Sequence, residues 1–369
     1  MTDPVPVLDL LHPEPSVLLG LPGAVAGSGI DATVAWHYGD PLAEQRRAER
    51  GAGLVDRTHR EVIAVSGPAR LDWLNKLTSQ LVDPLPDGTT TSALVLSPTG
   101  HVEHHFGVTE LAGTVFLDTE PGHGRALLSY LESMKFWTEV DLVMSPLREL
   151  SLIGPRSTDV AADAHLPVPD AGHAAATDTG FVRRTEAGVD LFTPDPGPLA
   201  QRLVSMGATP TGSWADDALR ILTRRPRLGV DTDERTIPNE ISWLAEAVHL
   251  NKGCYRGQET VARVHNLGRP PRRLVVLNLD GSQDVLPAAG APVLAGGRTV
   301  GRVGTAAQHH EDGPVALALV KRSVGPDTPL LAGPVDARLD PADAIEEDAI
   351  PRSAVDHAAF RQLGVLRRN

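Results

Sequence analysis

The sequence has a single cysteine, Cys254, among 369 residues. One thiol cannot form an internal disulfide, and alone it cannot hold a zinc ion or an iron–sulfur cluster. No apolar run approaches the roughly 20 residues that cross a bilayer. Asp3, Pro4 and Pro6 precede any apolar stretch, so the basic and apolar blocks of a secretory signal are missing. We therefore expect a cytoplasmic protein without a membrane partner, whose cluster chemistry, if any, involves another chain or a ligand.

Two further absences concern nucleotides and nucleic acids. No GxxxxGK(S/T) phosphate loop occurs, and no GxGxxG follows a predicted strand, so nucleotide hydrolysis and dinucleotide-dependent hydride transfer lose their usual support. The formal net charge of −13 disfavours non-specific binding to a phosphate backbone, because such binding depends on clustered Lys and Arg. Basic clusters at 224–227 and 263–273 are either solvated surface or contacts for an anionic small molecule.

The pattern of strands and helices predicts an α+β fold. Runs of β-branched and apolar residues between Pro and Gly indicate strands at 61–66, 90–96 and 114–119, and leucines at three-residue spacing follow Gly67 and Pro68 in a predicted helix. Clean alternation of strands and helices is missing, which disfavours a doubly wound parallel sheet. After Pro270 and Pro271 the sequence changes to short strands between 273 and 339, which predict a small β-barrel.

The cysteine lies in a run of unusual composition. Lys252, Gly253, Cys254 and Tyr255 are followed by Arg256, Gly257, Gln258 and Glu259. The run resembles the K-G-C-(Y/F)-x-G-Q-E signature of the YgfZ family, folate-binding proteins related to the T protein of the glycine cleavage system and linked to iron–sulfur cluster maintenance. Residues 50–60 and 65–69 also resemble segments of that family. The resemblance covers roughly residues 35–340.

The resemblance implies a ring of three subdomains around a folate pocket. We expect an irregular N-terminal segment at 1–34 and a T-protein-like folate-binding region of two α+β subdomains at 35–271. A C-terminal β-barrel subdomain is expected at 272–340, and a tail at 341–369. The implied cofactor is tetrahydrofolate or a one-carbon derivative of it.

One stretch departs from the T-protein pattern. The stretch 100–105 corresponds to the T-protein segment G-G-x-x-D-D, and with Gly100 aligned on the second glycine Glu103 and His104 stand in place of the paired aspartates. Glu103 is either a base near the folate or an ordinary strand residue. His101, His104 and His105 suggest a metal site, but His104 points to the opposite face of a strand from the other two. We therefore predict no metal site.

Two further segments resemble the T-protein folate site. Residues 180–190 correspond to the T-protein pattern G-Y-T-G-E-x-G-x-E, which makes Phe181 the implied contact of the pterin ring. Asp190 or Glu186 becomes the pterin carboxylate, and an insertion of about two residues leaves that choice open. Arg220 lies in a segment similar to A-R-D-x-L-R and is implied to contact the glutamyl tail. Phe181 is equally consistent with a core residue.

The thiol itself is the remaining candidate for chemistry. Cys254 lies between glycine and tyrosine near Lys252, a setting that favours a reactive thiolate, whereas a lone cysteine is commonly an inert buried residue. The leading hypothesis is a tetrahydrofolate-binding protein that supports iron–sulfur cluster assembly or repair, with Cys254 and Lys252 acting on iron–sulfur proteins or their assembly factors. The alternative is a folate-dependent aminomethyltransferase or demethylase of the T-protein type, a one-carbon transferase that uses Glu103.

Overall fold

Residues 14–343 are described by the computed structural model. The helices are α1 (Pro41–Arg50), α2 (Arg70–Leu77), α3 (Gly124–Ser133), α4 (Ser157–Asp163), α5 (Pro196–Ser205), α6 (Ser213–Leu222), α7 (Trp243–Glu246) and α8 (Gln258–Leu267). The strands up to the middle of the chain are β1 (Val25–Ala26), β2 (Ala35–His37), β3 (Gly53–Arg57), β4 (Glu61–Ser66), β5 (Thr90–Leu96), β6 (Val102–Leu111), β7 (Thr114–Thr119), β8 (Asp141–Met144) and β9 (Arg148–Ile153). The later strands are β10 (Ala174–Ala176), β11 (Phe181–Arg184), β12 (Gly188–Thr193), β13 (Thr209–Thr211), β14 (Arg272–Leu279), β15 (Pro292–Ala295), β16 (Arg298–His309), β17 (Gly313–Lys321), β18 (Leu330–Ala332) and β19 (Val335–Leu339).

A five-stranded antiparallel sheet forms the first unit, in the order β5-β6-β7-β4-β8. Alternate residues of its strands are buried against α2 and α3, whose Leu74, Leu127 and Leu131 complete the core. The predicted leucine face of α2 is confirmed, since Leu71 and Leu77 pack against the same core. The predicted strands at 61–66, 90–96 and 114–119 match β4, β5 and β7.

A six-stranded sheet forms the second unit, in the order β10-β11-β12-β9-β3-β13. Only β13 runs parallel to its neighbour β3, and the other pairs are antiparallel. The sheets of the described residues are therefore mainly antiparallel, as the α+β prediction requires. Strand β3 precedes the whole five-stranded sheet in sequence, yet it lies between β9 and β13. The two α+β units are therefore interleaved along the chain.

A closed barrel in the order β14-β17-β16-β15-β18-β19 forms the third unit. Its core is made of small and β-branched residues such as Val275, Val303 and Ala318. The predicted small barrel is confirmed, and its longest strand, β16, continues to His309.

The N-terminal part shows how local signals and distant packing combine. The Asp40 side chain accepts a hydrogen bond from the Ala43 amide at 2.9 Å, and Pro41 occupies the first turn of α1, as the sequence predicts. The segment expected to be irregular, so far as residues 14–34 describe it, includes β1, which pairs with β2. Residues 1–13 and almost all of the expected tail at 341–369 lie outside the described residues. In the described range no helix is long and apolar enough to cross a membrane.

Candidate functional site

Lys252 anchors the cysteine-containing run to the end of a helix. Its buried ammonium group donates hydrogen bonds to the backbone carbonyl oxygens of Asn75, Thr78 and Gln80, at 2.5, 2.8 and 2.6 Å. These carbonyls lie at the C-terminal end of α2, where a cation also complements the helix dipole. Burial lowers the pKa of Lys252 to about 8. The sequence analysis assigns Lys252 a chemical role, but its ammonium group already donates three hydrogen bonds to the protein backbone.

Tyr255 and Gly257 anchor the other side of the run. Tyr255 is buried in a cluster that includes Trp243 of α7 and Val261 of α8. Gly257 has φ +82°, and a Cβ atom there would lie 2.6 Å from the Ser97 carbonyl oxygen. Only glycine permits this backbone to meet the β5–β6 turn so closely. Cys254 is exposed between these two anchors.

The same face of the molecule carries Glu103. The Arg256 guanidinium and the Glu103 carboxylate form an ion pair at 3.2 Å, with about a third of each side chain exposed. Arg256 also lies 6.0 Å from the centre of the Tyr130 ring. The fold therefore brings Glu103 to the cysteine run, although the two are far apart in sequence. We call residues 252–257 with Glu103 the cysteine face.

A second polar assembly fills the space where the three units meet, and we call it the central network. Its members are Asp31, Arg57, Arg60, Asp118, Glu120, Glu149, Arg183, Asp190, Asp216, Asp217, Arg220, Arg227 and Asp231. Arg60 holds Glu120 at 2.7 Å and Glu149 at 2.9 Å. Arg220 donates to Thr305 of the barrel and contacts Asp231 at 2.7 Å. The network thus links both sheets to the barrel.

Carboxylates outnumber arginines in the central network, and their pKa values diverge as a result. Burial alone would raise the pKa of Glu120, but Arg227 and Arg60 hold it well below its usual range. Burial dominates at Glu149, where Arg60 offsets it only in part, and raises the pKa of that carboxyl. Asp217 shifts in the same direction for the same reason. The network therefore contains both firmly ionised carboxylates and carboxyls that bind protons more readily.

A small cavity borders the network. It measures about 20 Å³ and is lined by Asp56, Arg57, His59 and Arg60, among others, which is room for about one water molecule. Within residues 14–343 the buried atoms Asp56 Oδ2, Arg57 Nε and His59 Nδ1 have no hydrogen-bond partner. Unpartnered buried polar atoms are rare and mark a place for water or a ligand. These residues lie in segment 50–60, which the sequence analysis singled out for its resemblance to the family. That resemblance assigned no role to any of its residues.

The residues implied to bind folate do not form one pocket in this structure. Asp190 and Arg220 belong to the central network, where Asp190 accepts from Arg183 and from Ser151. Glu186 is exposed in the turn between β11 and β12. Glu103 belongs to the cysteine face. These assignments stay predictions.

Phe181 lies apart from the others. Its ring stacks on Phe192 at 4.3 Å between centroids, and the side chain is buried. It also borders an outer groove of about 690 Å³ between the C-terminal end of α4 and α5, lined mainly by apolar residues with Arg202. That volume is in the range of small-molecule pockets. None of the other residues implied to bind folate lines this groove.

The histidines of β6 alternate as predicted, with His104 facing the core and Glu103 exposed. His105 stacks on Trp243 at 3.9 Å between ring centroids. Burial, aided by His123 at one site and Arg60 at the other, lowers the pKa values of His104 and His105 to about 4. Both imidazoles are therefore neutral near pH 7.

These shifts predict a loss of stability in mild acid. An unfolded histidine has a pKa of about 6.5, so between roughly pH 6.5 and 4 the unfolded chain binds more protons than the folded one. The stabilisation is fully present above that window and declines as the pH falls through it, by about 1.4 kcal/mol per pH unit for each histidine. Urea unfolding at pH 7.5, 6 and 5 measures this slope. The variant His104→Gln should reduce it, and an unchanged slope would contradict the assignment.

Two family models match the chain. The model described as the GCVT N-terminal domain matches residues 22–189. The model described as the CAF17 C-terminal β-barrel domain matches residues 272–346. The second match coincides with the closed barrel.

Curated relatives and a solved structure are similar along much of the chain. A putative chloroplastic transferase of Arabidopsis thaliana is 24% identical over 281 residues, which cover 69% of this chain and 62% of that protein. An aminomethyltransferase of Symbiobacterium thermophilum is 28% identical over 296 residues, or 73% and 78% of the two chains. The crystal structure of the glycine cleavage system aminomethyltransferase T from Bartonella henselae has a TM-score of 0.77 at 24% identity and covers 86% of this chain and 92% of that one. The structural match establishes a T-protein-like fold.

Proposed function

We propose a function from the family of this chain, which joins a GCVT N-terminal domain to a CAF17 C-terminal barrel and so belongs to the YgfZ/CAF17 family of T-protein-like, folate-binding proteins. The chain binds tetrahydrofolate, or a one-carbon derivative of it, and supports the assembly or repair of iron–sulfur enzymes. Its partners are then iron–sulfur proteins or their assembly factors, and its compartment the cytoplasm. Cys254 is the residue that acts on them.

The observation that carries this proposal is the geometry around Cys254. The thiol is exposed, while Lys252 on one side and Tyr255 on the other are buried and held by the fold. A fixed backbone with an exposed thiol suits contact with a second protein, because little conformational entropy is lost on binding. One thiolate supplies one ligand, so a cluster would need its other ligands from the partner. We assign Lys252 a positioning role, since its ammonium group already donates to three carbonyls.

The folate part of the proposal places the cofactor against the central network. A pterin edge pairs donors and acceptors with a carboxylate, and the unpartnered Asp56 Oδ2 and Arg57 Nε match that chemistry. The cavity of about 20 Å³ is too small for a pterin. Folate binding therefore requires ion pairs of the central network to separate. Once they separate, the side chains of Asp190 and Arg220 can form hydrogen bonds to the folate. When bound, the folate supplies or accepts a one-carbon unit.

The choice between Asp190 and Glu186 can be tested by titration calorimetry with tetrahydrofolate. Asp190→Asn should weaken binding at least tenfold, because it removes a carboxylate of the central network. Glu186→Gln, at an exposed turn, should bind like the wild type. Equal affinities for all three proteins would remove Asp190 from the site, and no binding to the wild type would reject the folate part of the proposal.

The cysteine part is tested in cells that lack this protein. Cys254→Ser should lower the activity of aconitase-type iron–sulfur dehydratases to the level of the null strain, because the thiolate ligand is lost. Asn266→Ala, at an exposed position of α8, is the matched control and should restore full activity. Full activity with folded Cys254→Ser protein would reject the role of the thiol.

The alternative function is the transfer of an aminomethyl group, and the names of the curated relatives favour it. Glu103 would be the base, but its carboxylate is paired with Arg256 on the cysteine face. A glycine-cleavage assay with the lipoyl carrier protein separates the two functions. Turnover that depends on Glu103 would establish the alternative.

A further inference from the structure

The contact between α1 and the barrel contains a cluster of histidine and carboxylate that is separate from both candidate sites. The side-chain amide of Gln45, which is fully buried, donates to the Gln308 carbonyl at 2.9 Å and accepts from the His310 amide at 2.9 Å. These two bonds fix the end of β16 against α1. Glu49 lies one helical turn after Gln45, so it faces the same end of the strand.

Three side chains converge at this contact. One ligand atom each from Glu49, His309 and His310 lies within 4.8 Å of the others. His310 Nε2 touches one carboxylate oxygen of Glu49, and His309 Nε2 is 3.8 Å from the other. Consecutive residues of a strand point to opposite faces. Here β16 ends at His309 and the turn begins, which lets both rings point to Glu49, with centroids 4.7 Å apart.

The buried imidazole of His309 lacks a partner on the side that faces the carboxylate. Its side chain is 3% exposed, and its buried Nε2 atom makes no hydrogen bond to any residue that the structure describes. Such an atom costs free energy unless something pairs with it. Because Nε2 is directed toward Glu49 and the His310 ring, the missing partner belongs between these three residues.

The other nitrogen of His309 faces both a carboxylate and two backbone amides. The Nδ1 atom lies 2.9 Å from Asp312 Oδ2 and accepts hydrogen bonds from the amides of Glu311 and Asp312 at 3.3 and 3.1 Å. An ion at Nε2 requires the tautomer in which Nδ1 carries the proton, and that N–H then donates to Asp312 in place of the bonds from the two amides. A carboxylate that orients a histidine in this way is the usual outer partner of a metal ligand.

We propose that Glu49, His309 and His310 bind a borderline divalent transition ion such as Zn²⁺. Two imidazoles and one carboxylate suit this class of ion, and three protein ligands leave a position for water or a further ligand. In a tetrahedral site with bonds of about 2.0–2.1 Å, ligand atoms are about 3.3–3.4 Å apart. The 3.8 Å separation between His309 and Glu49 therefore needs to close by a few tenths of an ångström, and the direct contact between His310 and Glu49 needs to open to admit the ion. The ion would link helix α1 to strand β16 of the barrel. No sequence motif marks this site, because Glu49 and the two histidines come from distant segments.

The test uses the full chain without an affinity tag, stripped of metal and titrated with Zn²⁺ by calorimetry and with Co²⁺ by visible absorption. The wild type should bind one ion per chain at this site and show the Co²⁺ absorption of a low-coordinate site with nitrogen ligands. Glu49→Gln and His310→Asn should each weaken binding at least tenfold, and Asp312→Asn should weaken it about 10- to 100-fold as an outer partner. Bound Zn²⁺ should raise the unfolding midpoint of the wild type and of no ligand variant.

His173→Asn, an exposed histidine elsewhere, is the matched control and should bind as the wild type does. Because His309 is buried, its replacement risks loss of the fold, and the exposed Glu49 keeps the test decisive. The proposal is overturned if the wild type binds no ion, or if Glu49→Gln and His310→Asn bind as the wild type does.

Discussion

Arg60→Met should lower the free energy of unfolding by about 3–5 kcal/mol, the range measured when one partner of a buried ion pair is removed. Arg60 contacts Asp118, Glu120 and Glu149, and each of these side chains is less than a tenth exposed. Without the guanidinium, buried carboxylates would have to be protonated or hydrated. Urea unfolding at pH 7.5 measures the loss.

The exposed pair of Arg156 and Asp159 provides the matched control. Its N–O distance is 3.6 Å, and more than half of each side chain is exposed. Arg156→Met should therefore change the free energy of unfolding by less than about 1 kcal/mol. Glu149→Gln should offset part of the loss in the Arg60→Met background, because it removes one uncompensated carboxylate. Equal effects of Arg60→Met and Arg156→Met would show that the central network contributes nothing to stability.

Lys252→Met should release the cysteine run from α2 and cost about 2–4 kcal/mol, since hydrogen bonds from a charged group contribute about 1.5–3 kcal/mol each and their losses are not additive. Methionine preserves most of the side-chain volume and removes the three donors. Amide hydrogen exchange of residues 253–260 should become faster, because those residues lose their anchor. The support of iron–sulfur enzymes should fall with it, although Cys254 is still present.

Lys76→Met is the control for the loss of one ammonium group. Lys76 is 67% exposed and pairs with Asp72 on the surface of α2, so its replacement should change stability by no more than about 0.5 kcal/mol. If exchange of residues 253–260 is the same in Lys252→Met as in the wild type, the lysine does not anchor the run.

Local patterns predicted those strands whose β-branched and apolar runs are bounded by Pro or Gly. Strands β4, β5 and β7 were found with their bounds, as was the cap of α1 at Asp40. Strand β3 was missed, because it is short and its partners β9 and β13 are distant in the chain. The resemblance to a known family supplied the arrangement of the units, which periodicity alone could not.

In the functional sites, too, local sequence patterns were recognisable and contacts between distant segments were not. The cysteine run was recognisable from its residues, but its pairing with Glu103 depends on a contact between distant segments. Asp31 was assigned to an irregular segment, yet it pairs with Arg227 at 2.8 Å and with His59 at 2.9 Å. Ion pairs of this kind have no sequence period, because their partners are joined only by the tertiary fold.

The interleaving of the two sheets has a consequence for synthesis of the chain on the ribosome. Strand β3 is made early, but its antiparallel partner β9 emerges about 90 residues later, which takes roughly 5–20 s at ordinary rates of translation. In that interval the five-stranded sheet, whose strands are contiguous in sequence, can form by itself. Strand β3, with the apolar residues Leu54 and Val55, meanwhile has no partner strand. The nascent chain thus presents an unpaired edge next to a finished unit, and this is the stage at which a chaperone would protect it.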